Sequence, residues 1–215
     1  ASEYAQLKEL LTPEEYAAAR SSTLNAHYTS PTVIQAIYEA VDRMGFETGN
    51  ILEPSMGVGN FFGMLPEKMR NSRLYGVELD SISGRIAKQL YQKANIAIEG
   101  FEKTNLPDDH FDVVLGNVPF GEIRVNDSRY NAQKFLIHDY FFAKALDKVR
   151  AGGVVMFITS KGTMDKASPE VRKYIARRAV LLGAIRLPDN TFKANAGTEV
   201  TSDIPVSYTH LRAHE

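Results

Sequence analysis

Short apolar runs alternate with longer amphipathic segments along most of the chain after residue 50. Short apolar runs bounded by polar residues are typical of buried strands, and longer amphipathic segments are typical of helices. Their alternation predicts an α/β fold with a doubly wound, mostly parallel sheet and helices on both faces. The predicted strands are Ile51 to Leu52, Leu74 to Val77, Ile96 to Ile98, Val113 to Leu115, Val154 to Ile158 and Leu181 to Leu187, and the predicted helices cover 60–70, 82–93, 135–149 and 169–179.

Two helix-start signals precede this pattern. Thr12 and Glu15 have the spacing of a capping box, which predicts a short helix as far as about Arg20. Ser30-Pro31 repeats the signal ahead of a second helix. We therefore expect a helical N-terminal extension over residues 1–30 and a main domain over residues 31–206. The apolar stripe of the second helix consists of Val33, Ile34, Ile37, Tyr38 and Val41.

Two stretches depart from the alternation. The segment from Glu199 to Ile204 resembles an edge strand, but Pro205 interrupts it because proline cannot donate to a strand ladder. Residues 207–215 are polar and have no clear period, which predicts a truncated or artificial tail. Residues 122–133 form a charged connection of unusual length, which favours a functional or mobile loop.

Composition narrows the class of protein. A chain of 215 residues, 44% of them hydrophobic, is long enough to bury the core of one large domain. No apolar run approaches the roughly 18 to 20 residues that span a bilayer, so we expect a cytoplasmic protein without membrane contact. The chain has no cysteine, which excludes disulfides, a thiolate nucleophile and cysteine-ligated zinc.

Net charge and histidine content narrow the class of protein further. The net charge of -1 provides no global attraction to nucleic acid, so any such binding needs a local patch. Among the five histidines, only His210 and His214, in the predicted tail, have a metal-binding helical spacing, and no metal site is predicted.

A glycine-rich turn follows the first predicted strand, from Glu53 to Phe61. Gly57 and Gly59 allow the backbone to approach a ligand at the start of a helix, although the same turn also serves as a tight strand-to-helix connection. Glu78 ends the next strand, where a carboxylate can accept hydrogen bonds from both hydroxyls of a ribose. The spacing predicts a nucleotide-type cofactor at this edge.

Two features disfavour a nicotinamide cofactor. The turn lacks the third glycine of the dinucleotide fingerprint, and the acidic Glu53 would lie poorly beside a pyrophosphate. A carboxylate at this place suits a ligand that carries an ammonium group. S-adenosylmethionine has an ammonium group, a ribose and an adenine, and it has no phosphate.

The run from Glu53 to Phe61 resembles the methionine-binding motif of S-adenosylmethionine-dependent adenine-N6 DNA methyltransferases. The tetrapeptide Asn117-Val118-Pro119-Phe120 is similar to their Asn-Pro-Pro-aromatic catalytic motif, and His27 to Pro31 is similar to their early cofactor segment. The resemblance covers about residues 25–204 and is closest to methylase domains of helicase-methylase proteins of mobile elements. It implies a Rossmann-like methyltransferase domain.

The resemblance also implies roles for individual residues. Asn117 and the Val118 carbonyl would accept the two hydrogens of an adenine amine, Pro119 would restrain the backbone, and Phe120 would stack on a flipped-out target base. The family usually has proline at position 118, and valine keeps the carbonyl. Cofactor contacts are implied for Thr29, Glu53, Pro54, Gly57, Gly59, Phe61, Glu78, Leu79, Phe101 and Asn117.

Several alternatives stay open. Phe101 is equally interpretable as a core residue, and Asp80 as a helix cap. The methyl acceptor could be adenine in DNA, adenine in RNA or a glutamine amide of a protein, and the domain could also be a scaffold without catalysis. Expected partners are DNA and further domains of a longer protein. Arg124, Arg129 and Lys134 are candidate phosphate contacts within 122–134.

Overall fold

A seven-stranded sheet forms the centre of the protein, with strand order β3-β2-β1-β4-β5-β7-β6. The computed structural model describes residues 2–17, 29–188, 191 and 201–209. Strands β1 to β5 are parallel to one another, and β7 is antiparallel to both β5 and β6. The predicted doubly wound, mostly parallel sheet is confirmed. The strands are β1 (Asn50–Glu53), β2 (Arg73–Glu78), β3 (Asn95–Ile98), β4 (Phe111–Asn117), β5 (Val149–Ser160), β6 (Val180–Arg186) and β7 (Ser202–Tyr208).

Helices cover both faces of the sheet, as predicted. Alternate residues of β4 point to opposite faces, so Val113 and Leu115 pack in one core with the helix Pro31–Arg43, while Val114 packs in the other with the helix Ile137–Lys148. The helices are α1 (Ser2–Leu10), α2 (residues 13–17), α3 (Pro31–Arg43), α4 (Asn60–Gly63), α5 (Ser81–Leu90), α6 (Ile137–Lys148), α7 (Gly162–Asp165) and α8 (Glu170–Ala176), with 3-10 turns at Glu67–Met69, Phe101–Lys103 and Asn131–Gln133.

Both N-terminal caps are present. The Thr12 amide donates to Glu15, and the Glu15 amide donates to the Thr12 hydroxyl, which is the reciprocal pattern of a capping box. Ser30 caps α3, whose buried stripe matches the predicted one. Glu15 also forms an ion pair with Arg85 on α5. The predicted end of the first helix, residues 18–20, and the segment that contains His27 and Tyr28 lie outside the described residues.

The predicted helix over 60–70 is wrong in its length. Four residues, Asn60–Gly63, form α4, and a 3-10 turn at Glu67–Met69 follows Pro66. A continuous helix would need a main-chain donor at residue 66, which proline lacks. The short helix α7 was not predicted, and α8 ends at Ala176 rather than near residue 179.

The prediction of an edge strand near the end of the chain is also wrong. Strand β7 runs through Pro205 to Tyr208 and lies between β5 and β6, so among the described strands β6 lies at this edge of the sheet and β3 at the other. Between the pairs Met156↔Val206 and Thr159↔Asp203, the β5 ladder has no pairs opposite Pro205. Proline has no backbone N–H to donate, and Pro205 lies where the ladder between β5 and β7 is interrupted.

Strand β7 also continues past the predicted domain boundary at residue 206. Ser207 and Tyr208 belong to the strand, and the Thr209 amide donates a 3.0 Å hydrogen bond to the Gly153 carbonyl. Glu199 and residues 210–215, which include the predicted tail beyond Thr209, lie outside the described residues. No helix in the described part of the chain is long and apolar enough to cross a membrane.

Candidate active site

The glycine-rich turn lies between β1 and α4 at the carboxyl edge of the sheet. Gly57 and Gly59 both have left-handed backbone conformations, with φ of 56° and 90°. A Cβ at Gly57 would have no atom within 4 Å, whereas a Cβ at Gly59 would lie 2.4 Å from the Tyr91 ring. Gly57 thus borders open space, and Gly59 permits close packing of Tyr91.

Glu78, at the end of β2, is fixed against this turn. Its Oε2 accepts a 2.7 Å hydrogen bond from the Gly57 amide, and its Oε1 accepts a 2.8 Å hydrogen bond from the Asp80 amide. Burial raises the pKa of the Glu78 carboxyl, and the two backbone donors oppose that shift. The sequence-predicted proximity of the turn and Glu78 is therefore realised as a direct contact.

Glu53, at the end of β1, is almost completely buried, with 2% of its surface exposed. Burial raises its pKa well above the ordinary value, and the negative charge of Glu78 adds to the shift. Its Oε2 has no hydrogen-bond partner. A buried acceptor of this kind is costly unless a donor reaches it, so the site favours a ligand with a positively charged donor.

Asn117, at the end of β4, lies beside the N-terminal segment. Its Nδ2 donates a 3.2 Å hydrogen bond to the Thr29 hydroxyl, which joins two residues 88 positions apart. The Val118 amide donates a 3.1 Å hydrogen bond to the Ile158 carbonyl of β5, and the Val118 side chain is buried. These contacts hold the tetrapeptide between β5 and Thr29, and Pro119 and Phe120 follow as partly exposed residues.

Other predicted cofactor residues lie in different surroundings. Leu79 is 74% exposed at the end of β2, where an apolar side chain can meet a ligand. Pro54 is buried directly after Glu53. The Phe61 side chain is buried beside Tyr38, and Asp80 caps α5 by accepting from the Ser83 amide.

Phe101 is 2% exposed and packs in the core. Its ring centroid lies 5.1 Å from that of Phe141, and its carbonyl accepts a 2.7 Å hydrogen bond from the Lys144 ammonium. The side chain therefore has core contacts, as the alternative interpretation expected. A contact between Phe101 and cofactor stays a prediction.

The connection between β4 and α6 is anchored to the body of the domain. Asp127 accepts hydrogen bonds from the Tyr140 hydroxyl at 2.7 Å and from the buried Lys144 ammonium at 3.2 Å. The Tyr130 hydroxyl donates to Asp147 at 2.7 Å. These contacts hold Asp127 and Tyr130 against α6, and a functional role of residues 122–133 stays a prediction.

All three predicted phosphate contacts are exposed, and they differ in their partners. Arg129 is engaged by ion pairs with Asp108 and Asp147. Arg124 donates to the Lys134 carbonyl through Nε, and both side chains are largely exposed. Among the described contacts, Arg124 and Lys134 form no ion pair, so their charges are more available to a phosphate than that of Arg129.

Three residues near the site were not predicted. Tyr91 packs over Gly59 and Gly63, and the Tyr38 hydroxyl donates to the Phe61 carbonyl at 2.8 Å. A Cβ at Gly116 would lie 3.3 Å from Glu53 Cγ, so glycine there gives Glu53 space beside β4. Of these three residues, only Gly116 carried a signal in the sequence, since it directly precedes the tetrapeptide Asn117 to Phe120.

Two negative observations complete the geometry. An open cleft of about 590 Å³ lies at the opposite edge of the sheet, and none of the predicted site residues lines it. Among the described residues, no group of three or more histidine, aspartate or glutamate side chains could hold a metal ion.

Residues 64–189 match the family described as Eco57I restriction-modification methylase, and this match covers more than half of the chain. The chain belongs to the Eco57I restriction-modification methylase family. The matched region of this methylase includes Glu78 and the tetrapeptide Asn117 to Phe120, while the glycine-rich turn precedes it. The prediction of a methyltransferase of the restriction-modification type is confirmed.

Two viral proteins are similar in sequence to this family member. "Defense against restriction protein B" of Escherichia phage P1 is 33% identical over 194 residues, which are 87% of this chain and 8% of the phage protein. "Type II methyltransferase M.CvrRI" of Paramecium bursaria Chlorella virus XZ-6E is 37% identical over 75 residues, 35% of this chain. The chain spans only small parts of these relatives, 8% and 19% of their lengths.

Solved structures share the fold of this methylase. A Listeria monocytogenes protein assigned as a class I S-adenosylmethionine-dependent methyltransferase superposes with a TM-score of 0.70 at 20% identity, over 88% of this chain and 63% of that one. A Vibrio vulnificus protein assigned as a modification subunit of a type I restriction enzyme superposes with a TM-score of 0.67 at 19% identity, over 84% and 44%. The predicted methyltransferase fold is confirmed.

Proposed function

We propose that this chain transfers a methyl group from S-adenosylmethionine to the exocyclic amine of a flipped-out adenine in DNA. The observation that carries the proposal is the arrangement at one edge of the sheet. Glu53 and Glu78 end adjacent strands beside the glycine-rich turn, and Asn117 ends the next strand on the other side of Glu53. A cofactor pocket and an amine-binding tetrapeptide are therefore neighbours.

The polar and apolar groups around the glycine-rich turn match the groups of S-adenosylmethionine. The buried Glu53 Oε2, which has no hydrogen-bond partner, suits the ammonium of a methionine group. Gly57 presents backbone to open space, and Glu78 and the exposed Leu79 suit the ribose and adenine groups. When bound there, S-adenosylmethionine would supply an electrophilic methyl group.

Asn117 and Val118 would prepare the acceptor. The lone pair of an adenine amine is delocalised into the ring, so the nitrogen is a weak nucleophile. The Asn117 side-chain oxygen and the Val118 carbonyl would each accept one amine hydrogen and favour a more tetrahedral nitrogen. Thr29, which accepts from Asn117 Nδ2, would keep the amide in its orientation. Phe120 would stack on the extruded base.

The related proteins support DNA as the acceptor. The phage relative is named for defence against restriction, and the chlorella virus relative is named a type II methyltransferase. A structural neighbour is assigned as a modification subunit of a restriction enzyme, which also favours further domains or subunits as partners. The proposal for this chain therefore includes DNA adenine methylation, further domains or subunits as partners, and a cytoplasmic location.

The decisive experiment measures cofactor binding and methyl transfer separately. Calorimetry with S-adenosylmethionine is followed by transfer assays on unmodified DNA, RNA and a glutamine-containing peptide. We expect transfer to DNA adenine, and a loss of about 100-fold or more in Asn117→Ala with cofactor binding largely kept. Asn95→Ala, an exposed asparagine at the start of β3, is the control. Transfer to RNA or to glutamine alone would reassign the substrate, and binding without any transfer would support a scaffold.

A further inference from the structure

Ile123 exposes 63% of its surface three residues after Phe120. A single exposed apolar side chain is common on protein surfaces and has no meaning by itself. The setting of Ile123 is less common, because the residue follows the candidate tetrapeptide Asn117 to Phe120 closely in sequence and its backbone is hydrogen-bonded to α6. An exposed apolar side chain with a hydrogen-bonded backbone at this place can contact a substrate bound at the site.

The backbone of Ile123 is held by the start of α6. The Ile137 amide donates a 2.8 Å hydrogen bond to the Ile123 carbonyl, and the Arg124 side chain donates to the Lys134 carbonyl at 3.1 Å. Further along the loop, Asp127 accepts hydrogen bonds from the side chains of α6 described above. The hydrogen bonds of this segment therefore fix the backbone of Ile123, so its exposed side chain can keep its position when it contacts a substrate.

The charges around Ile123 suit a polyanion. Arg124 and Lys134 are both largely exposed and lie next to each other through the Arg124 Nε contact. Glu122 is the exposed acid of the same short stretch, so the cations exceed the acids by one. Cations that flank an exposed apolar side chain are the combination with which proteins insert a wedge between stacked bases.

We propose that Ile123 enters the base stack of duplex DNA at the position that the target adenine leaves. The inference rests on the proposed function, because it assumes that an adenine leaves a duplex. Extruding a base costs unstacking and unpairing energy. An apolar side chain that fills the gap contacts the neighbouring bases and stabilises the flipped state. Phe120 would hold the base outside the helix, and Ile123 would occupy its former place.

The test begins by mapping the methylated adenine. The wild-type chain and S-adenosylmethionine are incubated with long unmodified DNA, and the modified positions are located by sequencing. This step examines the proposed function by itself: if no adenine is methylated, both the proposed function and the wedge are overturned. With the site known, two short duplexes are made, one with thymine and one with an abasic site opposite the target adenine.

The second step compares variants on these duplexes. We expect Ile123→Ser to lower kcat/KM about tenfold on the paired duplex, but less than about twofold where the abasic site makes extrusion cheap. Ile123→Leu should restore most of the activity, because it keeps an apolar side chain of the same size. Ile86→Ser, on α5, removes another exposed isoleucine as the control and should leave both rates unchanged.

The pattern of losses decides the proposal. An equal loss on both duplexes would overturn the wedge and assign Ile123 to general substrate binding. Unchanged activity of Ile123→Ser on both duplexes would overturn any role in the reaction and leave a protein partner as the explanation of the exposed side chain. Fluorescence of 2-aminopurine at the target position gives an independent readout, and its increase on binding should be smaller in Ile123→Ser.

Discussion

The Gly57 amide donates a 2.7 Å hydrogen bond to Glu78 Oε2, and this contact joins the glycine-rich turn to the end of the neighbouring strand. Glu78 thereby holds the floor of the proposed pocket, and in the proposed function its carboxylate also accepts hydrogen bonds from the ribose. A substitution of Glu78 would therefore change the conformation of the turn and would also remove the carboxylate that is proposed to bind the ligand.

Replacement of Glu78 tests this dual role. We expect Glu78→Ala to weaken binding of S-adenosylmethionine at least about tenfold, because it removes both the ribose acceptor and the support of Gly57. Calorimetry measures the affinity, and Glu47→Ala, an exposed acid at the opposite edge, serves as the control. An unchanged affinity in Glu78→Ala would disprove the placement of the ribose.

Glu53 makes stability depend on pH in a specific direction. Its folded-state pKa is raised above the ordinary value of 4.5, chiefly by burial. The stability that protonated Glu53 contributes is therefore complete below that value and is lost as the pH rises through the folded-state pKa. We expect Glu53→Gln, without ligand, to match wild type at low pH and to be more stable at neutral pH.

Thermal unfolding from about pH 4 to about pH 8 measures this difference. With saturating S-adenosylmethionine the order should reverse, because glutamine cannot offer a carboxylate to the ligand's ammonium. A glutamine variant that stays more stable than wild type in the presence of the ligand would contradict the role of Glu53 in binding. A general change in packing would shift the stability of Glu53→Gln in the same direction with and without the ligand. Opposite shifts would therefore support a role of Glu53 in binding the ligand.

The two glycines of the turn should separate stability from binding. A Cβ at Gly59 meets the Tyr91 ring and requires a left-handed backbone, so Gly59→Ala should destabilise the fold by about 1–3 kcal/mol. Gly57→Ala places its methyl in open space and should cost about 1–2 kcal/mol for the backbone alone, with a larger loss of cofactor affinity. Chemical denaturation and calorimetry measure the two effects.

A second substitution checks the cause. Tyr91→Ala removes the ring that a Cβ at Gly59 would meet, so the double variant should be less destabilised than the sum of the single variants. Simple additivity of the two losses would show that the ring contact does not limit residue 59.

Lys144 joins two parts of the site. Its buried ammonium donates to the Phe101 carbonyl and to Asp127, so it holds the segment after β3 and the loop after β4 together. Lys144→Met removes the charged donor from both acceptors, while Tyr140 still donates to Asp127 and Thr104 to the Phe101 carbonyl, and it should lower the free energy of unfolding by about 1–3 kcal/mol. Lys88→Met, at an exposed position of α5, should change it by less than about 0.5 kcal/mol.

Limited proteolysis provides a second measurement for Lys144→Met. Cleavage within residues 122–133 should accelerate, because the Lys144 contact is one of those that fix this loop. If cleavage accelerates equally at distant loops, the variant is globally destabilised and the anchoring role of Lys144 is not supported.

The strand ends of the site could be predicted because their signals are local. The glycine-rich turn, Glu78 and Asn117 each follow an apolar run, and parallel strands bring their carboxyl ends to one edge. The spacing of these residues is enough to predict that the turn and Glu78 lie at one edge of the sheet, but not that Gly57 donates directly to Glu78. The Asn117–Thr29 hydrogen bond was harder to predict, since the resemblance placed both residues at one site but implied no direct contact between them.

Contacts that depend on distant segments could not be predicted. The anchoring of residues 122–133 depends on Lys144 and Tyr140, whose side chains look like ordinary core and surface residues of a helix. The position of β7 was missed for a similar reason, because local sequence does not state which strands it lies between. The burial of Phe61 and Phe101 follows from how α3 and α6 cover the sheet.

The position of β7 has a consequence for the order of assembly. Strand β6 pairs with no described strand except β7, which is synthesised after it. As the chain leaves the ribosome, strands β1 to β5 can pair while residues 180–186 still lack their neighbour. The outer edge of β5 stays open to other chains during this interval. Synthesis of residues 202–208 ends this exposure, because a single strand then completes both ladders.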